Sequence, residues 1–239
     1  MIMNIAADFK PSITQPHYLI RNRLLEAITS LAGQLNGRMM DFGCGQKPYY
    51  SLFNVDQYIG VDFENPGHSH ANEAIDVFYD GKTIPFEKEH FDSIFSSEVF
   101  EHIFNLPDIL KELNRVLKVD GLMLITCPFS FCEHEVPNDF ARYTSFALKH
   151  LLQQNGFEIV HQVKTGNSIE AISQLQLTYI HQHITPVVRK VPVVRSVFRF
   201  VTYTSINIGA LVLGKIFPAG KDLYMNNVVL CRKVQNIAP

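Results

Sequence analysis

The sequence predicts an α/β protein built on a seven-stranded, mostly parallel sheet with helices on both faces. Short apolar runs recur along the chain, as is typical of buried strands. Helical patterns lie between these runs, and such alternation favours parallel strands. The predicted strands are 39–42, 58–62, 74–78, 91–96, 122–127, 157–163 and 227–231.

Three segments carry helical periodicity. The first runs from His17 to Leu35, and Gly37 follows it as a stop signal. The second has the clearest signal: an apolar stripe over 106–117 follows Asn105, whose side-chain oxygen is predicted to cap the helix. The third opens at Thr144. These helices supply the layers that a parallel sheet needs on its faces.

The region between the last two predicted strands breaks the alternation, and no linker separates it from the rest. We therefore expect one domain with a helical insertion. The predicted organisation is a single domain over 1–239, comprising a helical N-terminal segment 1–37, a core 38–165, the insertion 167–222, and a last strand with its tail, 223–239.

Three roles stay open for the insertion: a lid, a dimer arm, or an element on a membrane surface, the last through 186–217. The uncharged run 200–214 is shorter than the about 20 residues of a spanning helix. We expect a buried or interfacial helix there. Cations from Arg189 to Arg199 suit an anionic membrane or a dimer or lid surface, and Pro186 and Pro192 are expected to keep each helix short.

Composition narrows the function classes. The formal net charge of −2 gives no general attraction to nucleic acid, and no basic groove is readable. The four cysteines form no C-x-x-C pair, which favours a reducing cytoplasm over a disulfide framework. The first residues lack the basic and apolar regions of a secretory signal.

Acidic and glycine residues follow the first two predicted strands. Ligands of open α/β sheets bind beyond the carboxyl ends of the strands. Asp41, Gly43 and Gly45 stand at the first such end, and Asp62 stands at the second. The glycines permit close approach of a ligand, and a carboxylate at the second strand can accept from ribose hydroxyls. This pair of features is shared by nicotinamide and S-adenosylmethionine (SAM) sites.

The loop itself separates these two cofactors. A dinucleotide site requires a third glycine under the pyrophosphate, and Pro48 stands near that position. Asp41 would also repel a phosphate, whereas it suits a ligand with an ammonium and a sulfonium group. A NAD-dependent oxidoreductase is therefore the less favoured alternative.

Four segments carry a family resemblance: DFGCGQKPY, YIGVD, DGKTIPF-x4-FDSIFSSEVFEHI and LKELNRVLKVDGLMLIT. Together they resemble class I SAM-dependent methyltransferases, in particular the bacterial methyltransferase type 11-like branch. The match covers 38–165, with a final strand near 226–233. The resemblance implies a Rossmann-like fold, SAM as cofactor and methyl transfer as activity. The family normally ends in a simple reversed hairpin, which the insertion 167–222 interrupts here.

The resemblance also implies a cofactor site, with the methionine end near the first loop. Asp62 would hold the ribose, Phe63 would lie beside the adenine, and Glu98 would close the site near the methyl group. Cys44 lies within the loop and is expected to be a small apolar filler. The implied cofactor-binding residues are Asp41, Gly43, Cys44, Gly45, Asp62, Phe63, Asp80, Gly81, Ser97 and Glu98.

The segment 129–144, FSFCEHEVPNDFARYT, resembles a subgroup found among sugar and cell-surface polysaccharide genes. His134 is a candidate general base, because an imidazole titrates near neutral pH, or else it orders the loop by a hydrogen bond. Arg142 either binds an acidic substrate group or pairs with Asp139, and we prefer the pair. The candidate catalytic residues are His134, Glu98 and Arg142.

Two further features of the sequence bear on the chemistry. Residues 133–135 (Glu-His-Glu) make a poor metal set if they lie on a strand, because neighbours there point to opposite faces, so we expect no metal. We expect Glu101 and His102 to serve a cap or loop hydrogen bond in preference to direct chemistry. Tyr143 is expected in the core or as a lid.

The sequence thus predicts a cytoplasmic SAM-dependent methyltransferase that acts on a small-molecule or sugar acceptor, at oxygen, and on no nucleic acid. A homodimer is compatible with the insertion. The alternative is a non-catalytic SAM-binding protein that acts through the insertion as an interaction or membrane-surface module.

Overall fold

The computed structural model describes residues 9–63, 74–188, 192–218 and 220–237. It confirms the predicted α/β architecture, with seven strands in one sheet. The strands are β1 Arg38–Phe42, β2 Gln57–Phe63, β3 Val77–Tyr79, β4 Phe91–Ser97, β5 Leu117–Pro128, β6 Phe157–Lys164 and β7 Asn226–Lys233. The helices are α1 Tyr18–Ala32, α2 Leu106–Val116, α3 Ser145–Gln154, α4 Ser168–Tyr179, α5 Thr185–Val188 and α6 Pro192–Ile216.

The strand order is β3-β2-β1-β4-β5-β7-β6. Strands β1 to β5 are parallel, and β7 runs antiparallel to both of its neighbours, β5 and β6. The order reverses between β1 and β4, so the carboxyl ends of these two strands flank the crevice where ligands of such sheets bind. The insertion lies between β6 and β7, as predicted.

Alternation along the strands builds a core on each face of the sheet. Met39 packs with α1 on one face, whereas its neighbour Met40 packs with α2 and α3 on the other. Leu124 and Ile125 of β5 divide between the same two faces. Burial on both faces explains why these strands are continuous apolar runs in the sequence.

Several element boundaries differ from the prediction. The second helix ends at Val116, and β5 begins at Leu117, five residues before the predicted start. Strand β3 covers Val77–Tyr79 in place of 74–78. The first helix ends at Ala32, short of Leu35. These shifts leave the element types unchanged and lie where end fraying and local pairing decide the boundary.

The starts of two helices have different outcomes. The helix predicted to open at Thr144 does so, and the Thr144 hydroxyl caps α3 by accepting from the Ala147 N–H at 3.1 Å. Asn105 precedes α2, but its side chain makes no capping hydrogen bond within the described chain. Its φ of −97° and ψ of 43° lie outside the extended conformation that directs a capping side chain to the helix.

The insertion is helical, as predicted, but its longest helix is longer than the prolines were expected to allow, and of the two expected settings for 200–214, buried or interfacial, the buried one is wrong. Helix α6 has 25 residues, because Pro192 is its first residue, where a missing N–H breaks no helical bond. Buried residues Tyr203, Asn207 and Ala210 line one face of α6, and the other described side chains of the helix are exposed or partly exposed. Asn207 Nδ2 donates to the carbonyls of Ile13 and Gln15, at 2.7 and 3.0 Å.

By length and composition, the segment Val193–Ile216 of α6 is the one helix in the described residues that could cross a membrane. Its buried face, however, holds polar side chains that bond to the rest of the domain. The predicted cations Arg189 and Lys190 lie outside the described residues.

Lys233 generates a stability prediction. Its side chain is buried, and Nζ donates to the carbonyls of Asn114 and Leu117 at 2.6 and 2.7 Å, closing β7 against the end of α2. We expect Lys233→Met to lower the free energy of unfolding by about 1–3 kcal/mol, because both buried carbonyls lose a charged donor. Urea denaturation measures this change.

The neighbouring Arg232 gives the matched control. Its ion pair with Glu158 is exposed, and such pairs contribute about 0–1 kcal/mol. Arg232→Met is therefore expected to change stability by less than Lys233→Met, and equal effects of the two substitutions would contradict the assignment.

Candidate functional site at the carboxyl edge of the sheet

The loop after β1 folds back onto β2. The backbone N–H groups of Gly43 and Cys44 both donate to the Val61 carbonyl, at 2.8 and 3.3 Å. Gly43 has a φ of 72°, and a Cβ there would lie 2.3 Å from a methyl group of Val99. A side chain at this position is therefore excluded by both conformation and space. Cys44 is buried, with its sulfur packed over Gly60 of β2, which fits the apolar role expected of it.

Asp62 connects this loop to the end of β2. One carboxylate oxygen accepts from the Gly45 N–H at 2.8 Å, and the other accepts from the Phe63 N–H at 2.7 Å. The structure thus brings together the loop glycine and the acid that the sequence predicted at one site. A carboxylate accepts more than one hydrogen bond per oxygen, so these contacts are compatible with ribose binding.

The predicted adenine end also assembles. The ring of Phe63 is partly exposed and lies 5.9 Å from the ring of Tyr79, centroid to centroid. Gly81 lies under the Phe63 ring, where a Cβ would come within 2.8 Å of Cε2. Asp80 accepts from the N–H groups of Lys82 and Thr83, and these bonds lower the pKa of its carboxyl. The turn therefore presents an aromatic face beside a fixed carboxylate.

Asp41 is buried at the base of the loop, and sequence reasoning missed its partner. The hydroxyl of Tyr58 donates to the Asp41 carboxylate in a short hydrogen bond. Burial raises the pKa of Asp41 to about 7, against the opposing effect of this bond. The only signal for Tyr58 was an aromatic residue opening the second predicted strand, which does not reveal a hydrogen bond. Asp41 is thus a carboxyl group that titrates near neutral pH.

Glu98 follows β4 with a φ of 57°, a left-handed conformation that is uncommon for a residue with a side chain. Thr126 Oγ1 donates to one carboxylate oxygen at 2.8 Å, and Asn226 Nδ2 donates to the other at 2.9 Å. Ser97 shares the same network, with its hydroxyl 2.9 Å from Thr126 Oγ1. Burial raises the pKa of Glu98. Strained residues of this kind concentrate at functional sites.

Glu101 is fully buried in the short helical turn that follows β4. Neither of its carboxylate oxygens has a hydrogen-bond partner among the residues that the structure describes. The Nε2 atoms of His102 and His134 lie 3.7 and 3.9 Å from Oε1, beyond hydrogen-bond distance. Burial raises the pKa of Glu101 well above its ordinary value, and burial followed by the charge of His102 lowers the pKa of His134.

These three residues differ from the set considered in the sequence. Glu133 and Glu135 are exposed, and residues 133–135 lie in a loop, so the strand argument against them does not apply. One ligand atom each from Glu101, His102 and His134 lies within 4.8 Å of the others, a donor set that could hold a metal ion. The sequence signal was the Glu-His dipeptide, which we expected to serve local hydrogen bonding.

Arg142 and Asp139 form the pair that the sequence favoured. Arg142 Nη1 and Nη2 donate to the two carboxylate oxygens at 2.5 and 2.6 Å, and this holds the pKa of Asp139 at about 2. Nη2 also donates to the Cys132 carbonyl at 2.9 Å, and Asp139 accepts from the His134 N–H at 2.9 Å. Arg142 thus orders the loop that carries His134, which argues against direct contact with a substrate.

The loop is fixed to the turn after β4. The Phe140 N–H donates to the Glu101 carbonyl at 2.8 Å, and His102 Nδ1 bonds the Asn138 carbonyl at 2.7 Å. His102 thus makes a loop hydrogen bond, as predicted. Tyr143 packs against the hydrophobic core, which was one of the two positions expected for it. The loop 129–144 therefore forms one wall beside Glu98 and Glu101.

Comparison with solved structures shows the fold. The [4+2]-cyclase SpnF aligns with 90% of this chain and 83% of its own, at 17% identity and a TM-score of 0.56. YcgJ of Bacillus subtilis aligns with 90% of this chain and 99% of its own, at 15% identity and a TM-score of 0.52. Phosphoethanolamine N-methyltransferase 2 of Haemonchus contortus, solved with SAM, aligns with 90% of this chain and 53% of its own, at 18% identity and a TM-score of 0.51.

Sequence comparison identifies the family. A malonyl-[acyl-carrier protein] O-methyltransferase of Legionella pneumophila is 24% identical over an alignment of 166 residues that covers 62% of this chain and 56% of the relative. The chain thus spans just over half the length of that relative. The model of the family described as a methyltransferase domain matches residues 16–162, more than half of the chain. The chain therefore belongs to the methyltransferase domain family and has the fold of the class I SAM-dependent methyltransferases.

Proposed function

We propose that this protein is a cytoplasmic SAM-dependent methyltransferase that moves a methyl group to an oxygen atom of a small-molecule or sugar acceptor. The observation that carries the proposal is the imidazole of His134, held by a fixed loop against the buried Glu101, at the same sheet edge as the implied SAM loop. The four cysteines are free, which supports a reducing compartment.

The methyl donor would occupy the carboxyl ends of β1, β2 and β4. Asp41 and the loop Gly43–Gly45 would face its amino-acid end, Asp62 its ribose, and Phe63 its adenine. SAM supplies an activated methyl group on a sulfonium, so the protein's contribution is mainly alignment, which can supply about 7–11 kcal/mol. Asp41 and Glu98 offer the negative charge that a cationic donor requires.

On the acceptor side of the site, His134 supports an oxygen atom as the methyl acceptor. A hydroxyl acceptor must lose a proton, and the lowered pKa of His134 keeps its ring neutral and able to accept one. The Legionella relative is named an O-methyltransferase, whereas the Haemonchus protein is named an N-methyltransferase. SpnF is named a cyclase, so the fold by itself leaves the reaction open.

A specific observation favours a second function, peripheral membrane contact through 186–217. Helix α6 exposes a row of large apolar side chains: Val193, Val194, Val197, Phe200, Val201, Ile208, Val212, Leu213 and Ile216. Residues 180–220 contain no acid, and Arg195, Arg199 and Lys215 supply cations along α6. Because its other face bonds to the domain, α6 would lie along an anionic surface and not cross it.

Turnover tests the transferase proposal. Purified protein with SAM and fractionated cell extract is expected to form S-adenosylhomocysteine, and His134→Asn is expected to reduce kcat about 10²- to 10⁴-fold through loss of the base. The exposed His150→Asn is the control, expected to keep full rate. If the protein binds SAM but forms no product with any fraction, the non-catalytic alternative is favoured. If His134→Asn leaves kcat unchanged, His134 is excluded as the general base.

The pKa of Asp41 predicts how SAM affinity depends on pH. The carboxylate form attracts the cationic donor, so affinity is expected to be highest above about pH 7 and to fall up to tenfold per unit below it. Calorimetry from pH 5.5 to 8.5 measures this slope. Asp41→Asn should bind SAM weakly with a flat profile. A wild-type profile that is equally flat would show that Asp41 is ionised throughout.

Vesicle sedimentation tests the membrane proposal. The protein is expected to sediment with phosphatidylglycerol-containing vesicles at low salt and less with pure phosphatidylcholine. Val197→Asp and Phe200→Asp should abolish binding, whereas Phe146→Asp, at an exposed aromatic residue on α3, should retain it. If no vesicle binds the protein and the two α6 variants instead dissociate a dimer, the helix is a dimer arm.

A further inference from the structure

The strongest unexplained feature of the molecule is the side chain of Glu101. It is completely buried, and within the described chain nothing donates a hydrogen bond to either carboxylate oxygen. A buried carboxyl group without partners is costly, and a further group that completes its environment would lower that cost. The neighbouring Glu98 shows the contrast, since both of its oxygens accept hydrogen bonds.

The two histidines beside Glu101 present ring nitrogens to it. His102 Nδ1 lies 2.7 Å from the Asn138 carbonyl, which can only accept, so Nδ1 donates there and Nε2 is the nitrogen on the side of Glu101. His134 Nδ1 lies 3.3 Å from the Cys132 carbonyl, from Asp139 Oδ2 and from Arg142 Nη2, so the loop fixes the ring through this nitrogen and leaves Nε2 toward Glu101. Both Nε2 atoms face Glu101 Oε1, at 3.7 and 3.9 Å.

One carboxyl group and two imidazole nitrogens thus converge without a hydrogen bond between them, and a cation is a group that would complete the arrangement. Two imidazoles and one carboxylate form a ligand set for divalent transition metals. The carbonyls on the two Nδ1 atoms are the outer partners that metal-binding histidines usually have. The ligand atoms lie within 4.8 Å of one another. Ligand atoms that each stand about 2.0–2.2 Å from one ion lie closer together than that, so the side chains must move inward to bind it.

We propose that Glu101, His102 and His134 bind one divalent transition-metal ion such as Zn²⁺ or Co²⁺. Glu135, exposed and 3.8 Å from His102 Nε2, is available as a further ligand, and a position remains for an acceptor oxygen. The inference rests on the proposed function in this respect, because the ion would orient the acceptor and lower the pKa of its hydroxyl. In the metal-loaded site His134 is a ligand and does not act as the base.

Titration of untagged, chelator-treated full-length protein with Co²⁺ tests the site directly. We expect one ion per chain by calorimetry, with a visible absorption band that Zn²⁺ removes by displacement. Glu101→Gln and His134→Ala should each weaken Co²⁺ binding more than tenfold, whereas His150→Ala, at an exposed histidine on α3, should leave it unchanged. Thermal unfolding of each variant shows that the loss is not a loss of folding.

The outcomes separate this inference from the proposed function. Absence of Co²⁺ and Zn²⁺ binding, or binding that survives both Glu101→Gln and His134→Ala, would overturn the metal site whether or not the protein turns over SAM. Stoichiometric binding that both variants abolish supports the site even if no extract fraction is methylated. An oxygen acceptor turned over only by the metal-loaded protein would support both.

Discussion

The site depends on the removal of carboxyl groups from water at one edge of a parallel sheet. Asp41 lies near the end of β1, Glu98 and Glu101 follow β4, and each is stabilised differently. A tyrosine hydroxyl bonds Asp41, a threonine and an asparagine bond Glu98, and two imidazoles stand near Glu101 without bonding it. Buried anions without full compensation favour cationic ligands, which suits both a sulfonium and a metal ion.

Local sequence signals predicted the fold because the central strands β1 and β4 are short apolar runs, and α-helices follow β4, β5 and β6. The first loop was also readable, since Gly43 and Gly45 mark a backbone that approaches β2 closely, and Asp62 stands at the carboxyl end of that strand. The helical nature of the insertion followed from its composition. These features depend on residues close together in the chain, and sequence patterns describe such residues well.

The missed features depend on residues far apart in the chain. Thr126 and Asn226 reach Glu98 from two other strands, and no spacing rule connects them. The carboxyl group of Glu101 is buried without a hydrogen-bond partner in the described chain. The Glu-His dipeptide in the sequence does not reveal that burial. The length of α6 was misjudged because Pro192 was taken as a helix breaker, whereas at a first position it starts the helix.

The antiparallel strand β7 lies between β5 and β6 and therefore separates two strands that precede it in the chain. In the described sheet β6 pairs with β7 alone, so β6 has no strand to join while the insertion is still being synthesised. Asn226, which bonds Glu98, arrives with the same strand. During synthesis, therefore, β6 joins the sheet only after residues 226–233 have left the ribosome, and the second hydrogen bond to Glu98 forms in the same step.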